Sequence, residues 1–161
     1  MVVFSLKIKA SLIGFTALEP FAGTDDPDFP YYFKLLCTKC QSLSDNELCF
    51  MLNGASKVSY QCRYCGARGT VSMLPDYGEP HTHKHSLKNE PTTLMLFNCQ
   101  GFEPSDFVFA GGWKATAENV VCEDVNLSAG QFVISNEDKP DHRIFKLEAF
   151  FKVVPPRFLQ R

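Results

Sequence analysis

Two Cys-x-x-C pairs constrain what this chain can fold into more than any other feature of its sequence. Cys37 and Cys40 form the first pair, Cys62 and Cys65 form the second, and residues 41–61 separate them. Two intervening residues let one tight turn aim both sulfurs of a pair at the same ion, and intervening strands can bring the second turn opposite. Four thiolates at about 2.3 Å complete the tetrahedral coordination of Zn²⁺. The spacing therefore predicts a closed clamp on one zinc ion per chain.

The residues beside the two turns fit this interpretation. Four thiolates around one Zn²⁺ leave a net negative charge, and Lys39, Arg63 and Arg68 are predicted to balance it. Gly66 follows the second pair and can take backbone angles that bring amide N–H groups toward the thiolates. Because zinc binding contributes directly to folding in small zinc domains, we expect loss of the metal to unfold at least the first half of the chain.

Other cysteine chemistry fits the sequence less well. A redox Cys-x-x-C pair commonly stands at a helix N-terminus in a βαβ unit, and neither pair here precedes a helical pattern. An iron cluster also takes four thiolates, but its spacing signatures are missing. Cys49, Cys99 and Cys122 lie in apolar or strand-like sequence and are predicted to be core thiols. The pattern is typical of a reducing compartment rather than of a secreted disulfide framework.

Short alternating segments predict an all-β fold. Apolar and polar residues alternate from Phe4 to Leu12, as in a half-buried strand. Further strand-like segments are YYFKLLC, LCFML, KVSYQC, TVSML, TLMLFNC, QFVIS and RIFKLEAFFKV. No stretch has a helical period, and GTDDPDFP, PDYGEPHTHKH and SNEDKPDH are predicted to be loops. We expect Trp113 and the Phe-rich strands to form the core.

A weak internal repeat suggests two related halves. ASLIGFTALEPFAG aligns without gaps on LMLFNCQGFEPSDF, which places Leu12 on Leu96. YFKLLC from Tyr32 resembles IFKLEA, and this match sets Cys37 against Ala149. The spacing between the two matches differs in each half, so chance similarity stays an alternative.

Length and charge narrow the organisation and the function classes. A chain of 161 residues suits one domain, predicted over 1–161 with a metal-bearing half at 1–88 and a metal-free half at 89–161. The net charge of −2 disfavours nucleic acid as a partner. Lys7 and Lys9 interrupt the apolar start where a signal peptide needs an uncharged core, and no other run is long enough to span a membrane. We expect a cytoplasmic monomer, with a nuclear location left open.

The stretch HTHKH is a second candidate metal site. His81, His83 and His85 alternate and would share one face of a strand, where three imidazoles can bind Zn²⁺ or Cu²⁺. The stretch follows PDYGEP in polar sequence, so a solvated loop without metal is predicted. No nucleophile elbow, phosphate-binding glycine loop or spaced pair of acids occurs, and the chain is not predicted to be an enzyme.

Four stretches in this order resemble the eukaryotic CXXC-motif-containing zinc-binding protein family: LKIKASLIGFTALEP, YYFKLLCTKCQSLSD, YQCRYCGARGTVSML and LFNCQGFEPSDFVFAGGW. The resemblance covers nearly the whole chain. Its most specific parts are the cysteine pairs and the Cys-x-Gly-x-Glu-Pro-x-Asp-Phe stretch from Cys99 to Phe107. It implies a compact all-β fold of two packed β-sheet halves, with a zinc-ribbon-like site of four cysteines in the first half.

The chain departs from the family pattern in two places. The segment between the cysteine pairs is shorter and lacks a Gly/Ser-rich insertion before YQC, and Gln41 stands where a glycine often follows the first pair. Neither departure affects a predicted metal ligand.

The function predicted from these observations is that of a non-catalytic zinc-binding protein with protein partners, acting through protein contacts or in metal homeostasis. Three alternatives stay open. The first is a thiol or redox enzyme that uses a Cys-x-x-C pair, and the second is a hydrolase that uses the histidine stretch. The third is a nucleic-acid-binding ribbon in which Lys39, Arg63, Tyr64 and Arg68 form a basic and aromatic cluster.

Overall fold

The structure is a computed structural model that describes residues 2–53, 57–136 and 139–159. Its described strands are β1 (Val2–Ile13), β2 (Phe15–Pro20), β3 (Tyr31–Cys37), β4 (Leu48–Phe50), β5 (Lys57–Gln61), β6 (Arg68–Leu74), β7 (His81–Thr82), β8 (Thr92–Gln100), β9 (Phe102–Val108), β10 (Trp113–Ala117), β11 (Val121–Val125), β12 (Phe132–Asn136) and β13 (Lys139–Val153). A short helix, α1 (His83–Lys88), follows β7, and a 3₁₀ helix at Pro156–Leu159 follows β13. Within the described part of the chain, neither helical segment has the length and hydropathy of a membrane-spanning helix.

The strands form three antiparallel sheets. The six-stranded sheet has the order β12, β13, β1, β8, β6, β5. The four-stranded sheet has the order β11, β10, β2, β7, and the three-stranded sheet has the order β4, β3, β9. Every strand segment predicted from alternation falls on one of these strands. The predicted all-β fold of packed sheets is confirmed.

The strand order is unchanged when the two parts of the chain are exchanged. Replacing β1 to β6 by β8 to β13, each in sequence order, reproduces the six-stranded sheet read from its other end. The same exchange turns β4, β3, β9 into β11, β10, β2, and leaves β7 without a counterpart among the described strands. Leu12 and Leu96 lie in corresponding strands, but β3 corresponds to β10 rather than to β13. The alignment that set Cys37 against Ala149 is therefore wrong, while the single domain and its halves at 1–88 and 89–161 stay predictions.

An aromatic cluster joins the three sheets. Trp113 of β10 is fully buried, and its ring meets Phe29 edge-on with centroids 5.0 Å apart. Phe29 contacts Tyr31 of β3 in the same manner at 4.8 Å, and Tyr31 contacts Phe97 of β8 at 5.6 Å. Each ring buries a large apolar area, and edge-to-face pairs add about 0.5–1.5 kcal/mol beyond that burial. The prediction that Trp113 belongs to the core is confirmed.

Two of the three predicted loops are wrong in part. GTDDPDFP is irregular, as expected. The last five residues of PDYGEPHTHKH instead form β7 and the start of α1, a helix too short to produce a period in the sequence. SNEDKPDH belongs to a hairpin in which β12 ends at Asn136 and β13 begins at Lys139, and the two residues between them lie outside the described chain.

The three unpaired cysteines also differ from one another. Cys99 is buried, as predicted for a core thiol. Cys122 is half-buried and packs against the core. Cys49 is exposed, so that part of the prediction is wrong. Its strand, β4, is an edge strand only three residues long, and Cys49 lies between Leu48 and the buried Phe50.

Candidate metal centre

The two cysteine pairs occupy turns at neighbouring strand ends. Cys37 is the last residue of β3, and Cys62 follows the last residue of β5. The Thr38 amide and hydroxyl both donate to the Gly101 carbonyl, at 3.1 and 3.0 Å. Gly101 joins β8 to β9, so these bonds tie the first turn to the sheet that carries the β5–β6 hairpin.

The two turns have the same backbone form. The amide of Gln41 donates to the Cys37 carbonyl at 2.9 Å, and the amide of Gly66 donates to the Cys62 carbonyl at 3.0 Å. The residue after each pair takes a left-handed conformation, with φ of 64° at Gln41 and 77° at Gly66. Glycine adopts this conformation freely, whereas another L-residue there costs about 1–2 kcal/mol. The replacement of glycine by Gln41 thus changes the cost of the first turn and not its shape.

The four predicted ligands converge on one point. The Sγ atoms of Cys37 and Cys65 lie 3.7 Å apart, those of Cys40 and Cys62 lie 3.6 Å apart, and all four lie within 4.8 Å of one another. A tetrahedron with metal–sulfur bonds of about 2.3 Å has edges of about 3.8 Å. A disulfide needs a sulfur–sulfur distance of about 2.05 Å, so these sulfurs are placed as metal ligands rather than as disulfide partners. Zn²⁺ fits the donor set.

The cluster has a buried side and an open side. Cys37 and Cys62 are buried in the core, with exposed fractions of 0% and 5%. Cys40 is half-buried and Cys65 is exposed. Below the cluster, Tyr60 and Phe102 meet edge-on with ring centroids 5.0 Å apart. The site therefore lies where the apolar core reaches the surface.

Ionisation of the thiols is unequal. Hydrogen bonds from the side chain and the backbone of Ser42 lower the pKa of Cys40 to about 6. The backbone of Ala67 acts in the same direction on Cys65, but desolvation and hydrogen bonds to the other three cysteines outweigh it and raise the pKa of Cys65 to about 11. Four close thiols repel one another as thiolates, so they cannot all ionise together unless a cation is present. A divalent metal ion supplies that cation.

Asp45 fixes the second turn and was not predicted from the sequence. Its carboxylate accepts a hydrogen bond from the Tyr64 hydroxyl at 2.5 Å and forms an ion pair with Arg63 at 2.6 Å. The Tyr64 hydrogen bond and the Arg63 charge hold the pKa of Asp45 below its usual value. Arg63 is thus bound to Asp45, while the other two predicted counter-charges, Lys39 and Arg68, are exposed beside the cluster. A single acid downstream of a cysteine pair has no sequence signature.

His81 is a buried structural side chain. Its exposed fraction is 1%, and its Nδ1 lies 3.0 Å from the Thr92 hydroxyl. Its Nε2 lies 3.0 Å from the Ala10 carbonyl oxygen and 3.3 Å from the Ala10 amide nitrogen. β8 pairs with β1 only as far as Ile8, so the imidazole takes the place of a strand partner for Ala10. Ser86 continues this capping, because its hydroxyl accepts from the Leu12 amide at 2.9 Å.

The other two histidines have different environments. The Nδ1 atom of His85 accepts from the Thr82 amide at 3.1 Å, as part of a capping box at the start of α1. His83 is exposed on the same helix. Of the residues the structure describes, the four paired cysteines form the one cluster with metal-ligand geometry. The prediction of a solvated loop is wrong for His81 and His85, because β7 and α1 cover the free edge of β1.

Comparison with known proteins places this arrangement in a family. The model of the family described as "CXXC motif containing zinc binding protein, eukaryotic" matches residues 5–148. A protein of that name from Xenopus laevis is 29% identical over 124 residues, which cover 71% of this chain and 74% of the relative. The Homo sapiens protein of the same name is 25% identical over 134 residues, which cover 76% of this chain and 80% of the relative.

Solved structures share the fold. The crystal structure of C1orf123 superimposes with a TM-score of 0.82 at 22% identity, covering 94% of this chain and 99% of that one. A hypothetical protein from Plasmodium falciparum superimposes with a TM-score of 0.75 at 18% identity, covering 94% of this chain and 100% of that one. The three-sheet arrangement is therefore common to chains whose sequences have diverged widely.

Proposed function

This chain belongs to the eukaryotic family of CXXC motif containing zinc binding proteins, and on that premise we propose that it is a non-catalytic protein that acts through contacts with other proteins. In this proposal one Zn²⁺ per chain is held by Cys37, Cys40, Cys62 and Cys65. The observation that carries the proposal is the convergence of the four sulfurs, with edges of 3.6 and 3.7 Å between the two turns. The seven free cysteines suit work as a monomer in the reducing cytoplasm.

A structural role for the zinc follows from its ligands. Four protein thiolates fill a tetrahedral zinc site and leave no position for water or substrate. Catalytic zinc sites instead keep one position open. Because two ligands belong to the core and two to the surface, the ion joins the surface turns to the sheets. We therefore assign the zinc to stability and to the shape of the surface above it, which is the basis for a role in protein contacts or metal homeostasis.

The sulfur arrangement favours this clamp over thiol redox chemistry. The short distances join Cys37 to Cys65 and Cys40 to Cys62, so each sulfur has its near neighbour in the opposite turn. A redox Cys-x-x-C motif uses the two sulfurs of one turn and is commonly activated by a helix N-terminus. In the part of the chain that the structure describes, neither turn leads into a helix.

The tip of the second turn has the chemistry of a protein-binding surface. Tyr64 has an exposed fraction of 57%, although Asp45 holds its hydroxyl. Arg63 lies beside it and is fixed by the same carboxylate. Tyrosine and arginine dominate the energetics of protein interfaces, and side chains held in place before binding lose less entropy. Since Asp45 offsets the charge of Arg63 and the chain is acidic overall, this surface suits a protein better than a nucleic acid.

The metal content of protein purified without added metal tests the zinc assignment. We expect one zinc per chain in the wild type, measured by inductively coupled plasma mass spectrometry. Cys62→Ser removes a proposed ligand and should lose the metal. Cys49→Ser is the matched control, because Cys49 is an exposed cysteine outside the cluster and its loss should leave the zinc content unchanged. Equal zinc in both variants would overturn the assignment.

A second experiment tests the contact surface. Tyr64→Ala and Arg63→Ala should keep the zinc, because neither side chain is a ligand, and should weaken the capture of partner proteins from a cytosolic extract. Tyr77→Ala supplies a half-buried tyrosine outside the turns as the control. If the metal-free Cys62→Ser chain bound the same partners as strongly as the wild type, a zinc-shaped contact surface would be ruled out.

A further inference from the structure

A cavity lies on the side of the six-stranded sheet that faces away from the core, far from the sequence features of the metal centre. Its volume is about 290 Å³. β1 contributes Ser5 and Lys7, which alternate with the buried Leu6 and therefore point to the opposite side of the sheet. β8 and β13 form the rest of the floor, as the strands on either side of β1.

Apolar side chains form most of the cavity wall. Leu96 on β8 is buried in the floor, with an exposed fraction of 3%. The chain after β13 folds over one side of the cavity, where it contributes Pro155 and Phe158. The Val154 amide donates to the Val3 carbonyl at 2.8 Å and fixes the start of this segment on the sheet. Phe158 has an exposed fraction of 60%, so a ligand in the cavity would cover apolar surface that now faces water.

Two lysines line the same cavity. The Lys7 ammonium donates to the Thr93 hydroxyl at 2.7 Å, and an ammonium has three donors, so two of them are available to a ligand. Lys152 is the cross-strand partner of Ser5 and also lines the cavity. Burial and the neighbouring Lys152 lower the pKa of Lys7, which is the effect of positive charge that lacks a close counter-ion.

Acidic side chains do not balance this charge. None of the ion pairs formed by the described residues includes either of these two lysines. Glu79 acts on Lys7 from a distance, but its carboxylate lies 3.9 Å from His85 Nε2 and is largely exposed. The cavity therefore has two cations at its floor and apolar walls above them.

From these observations we propose that the cavity binds a small amphipathic anion, a carboxylate with an aliphatic chain of medium length. The carboxylate would lie between Lys7 and Lys152, and its chain would lie against Leu96 and Phe158. The size supports a small molecule, because small-molecule sites begin at about 300 Å³. This site does not depend on the zinc, and its ligand would make no contact with the cysteine turns.

Titration of the zinc-loaded, full-length protein with octanoate tests the proposal. Amide shifts in ¹⁵N-labelled protein should saturate at Ser5, Thr93 and Leu96, with a dissociation constant of about 1 mM or tighter. Octan-1-ol, which keeps the chain but lacks the charge, and acetate, which keeps the charge but lacks the chain, should each bind at least about tenfold more weakly.

Two variants and a matched control locate the charge recognition. Lys7→Gln and Lys152→Gln should each weaken octanoate binding by about tenfold, the loss expected for one charge-assisted hydrogen bond. Lys57→Gln is the control, because Lys57 is an exposed lysine on β5 at the far edge of the same sheet. Lys152 is exposed, so its variant should fold even if Lys7→Gln does not. No saturable shift at these amides up to about 5 mM octanoate, equal binding of octanol, or equal weakening by Lys57→Gln would each overturn the proposal.

Discussion

Two clusters of potential metal ligands end in opposite arrangements. Cys40 and Cys62 are 22 positions apart in the chain, yet their sulfurs lie 3.6 Å apart. His81, His83 and His85 are near neighbours in the chain, and they separate into a buried strand partner, an exposed side chain and a helix cap. Close spacing in a sequence therefore does not make a ligand set. Convergence of separate turns does, and it depends on the strands that carry those turns.

The largest expected effect is that of removing the zinc. Treatment with a strong chelator should lower the free energy of unfolding by at least about 4 kcal/mol, because zinc binding in small zinc domains contributes about 10–16 kcal/mol and four thiols would remain beside the core. Chemical denaturation followed by circular dichroism measures the change. Re-addition of zinc should restore the transition, and an unchanged transition after complete metal removal would show that the cysteine cluster does not stabilise the fold.

The histidine cluster should behave differently. His81→Ala leaves the Ala10 backbone and the Thr92 hydroxyl without their partner and opens a buried cavity, so we expect a loss of about 2–4 kcal/mol with unchanged zinc content. His83→Ala is the control and should change stability by less than about 0.5 kcal/mol, because His83 is exposed. Thermal unfolding combined with metal analysis separates the two outcomes. Loss of zinc from His81→Ala would remove the contrast between the clusters.

Acidification should also act through His81. Burial lowers the pKa of His81 in the folded chain, so the unfolded chain binds more protons once the pH falls below about 6.5. Stability should therefore decrease as the pH falls, by about 1 kcal/mol between pH 7 and pH 5.5. Denaturation curves at several pH values measure this slope. The slope should be smaller by that amount in His81→Ala, and the same slope in both proteins would refute the assignment to His81.

The smallest effects concern the residues that follow the two cysteine pairs. Gly66→Ala should destabilise the zinc-loaded protein by about 1 kcal/mol, because alanine would be forced into a left-handed conformation. Gln41→Gly should stabilise it by about 0.5 kcal/mol, because it relieves the same cost at the equivalent position and loses one exposed hydrogen bond to Thr38. Equilibrium denaturation of both variants is the measurement. Changes of the same sign would show that the two turns are not equivalent.

The sequence was sufficient to predict the strands whose side chains alternate strongly. β1 and β3 place large apolar residues on one face and polar residues on the other, so their period was visible. β10 is WKATA, in which the buried Ala115 and Ala117 are too small to mark an apolar face. β2 and β9 each contain a proline, which argued against a strand. These strands, and with them the two smaller sheets, were missed.

The candidate site divides in the same way. The cysteine pairs were predictable because Cys-x-x-C spacing reports a local turn, and the structure repeats that turn twice. The role of His81 was not, because it depends on the unpaired edge of Ala10, 71 positions away. Asp45 was missed for a related reason, since its contacts with Arg63 and Tyr64 form only when the two turns meet. Interactions set by strand pairing over long distances leave little trace in a local pattern.

The most direct test of the account is zinc K-edge X-ray absorption on protein purified without added metal, with the zinc content measured on the same sample. We expect one zinc per chain and a first shell of four sulfur atoms at about 2.3 Å. The Cys62→Ser variant should lack this signal, and Cys49→Ser should keep it. A first shell that contained nitrogen or oxygen, or a wild-type chain with far less than one zinc, would contradict the closed clamp formed by the two turns.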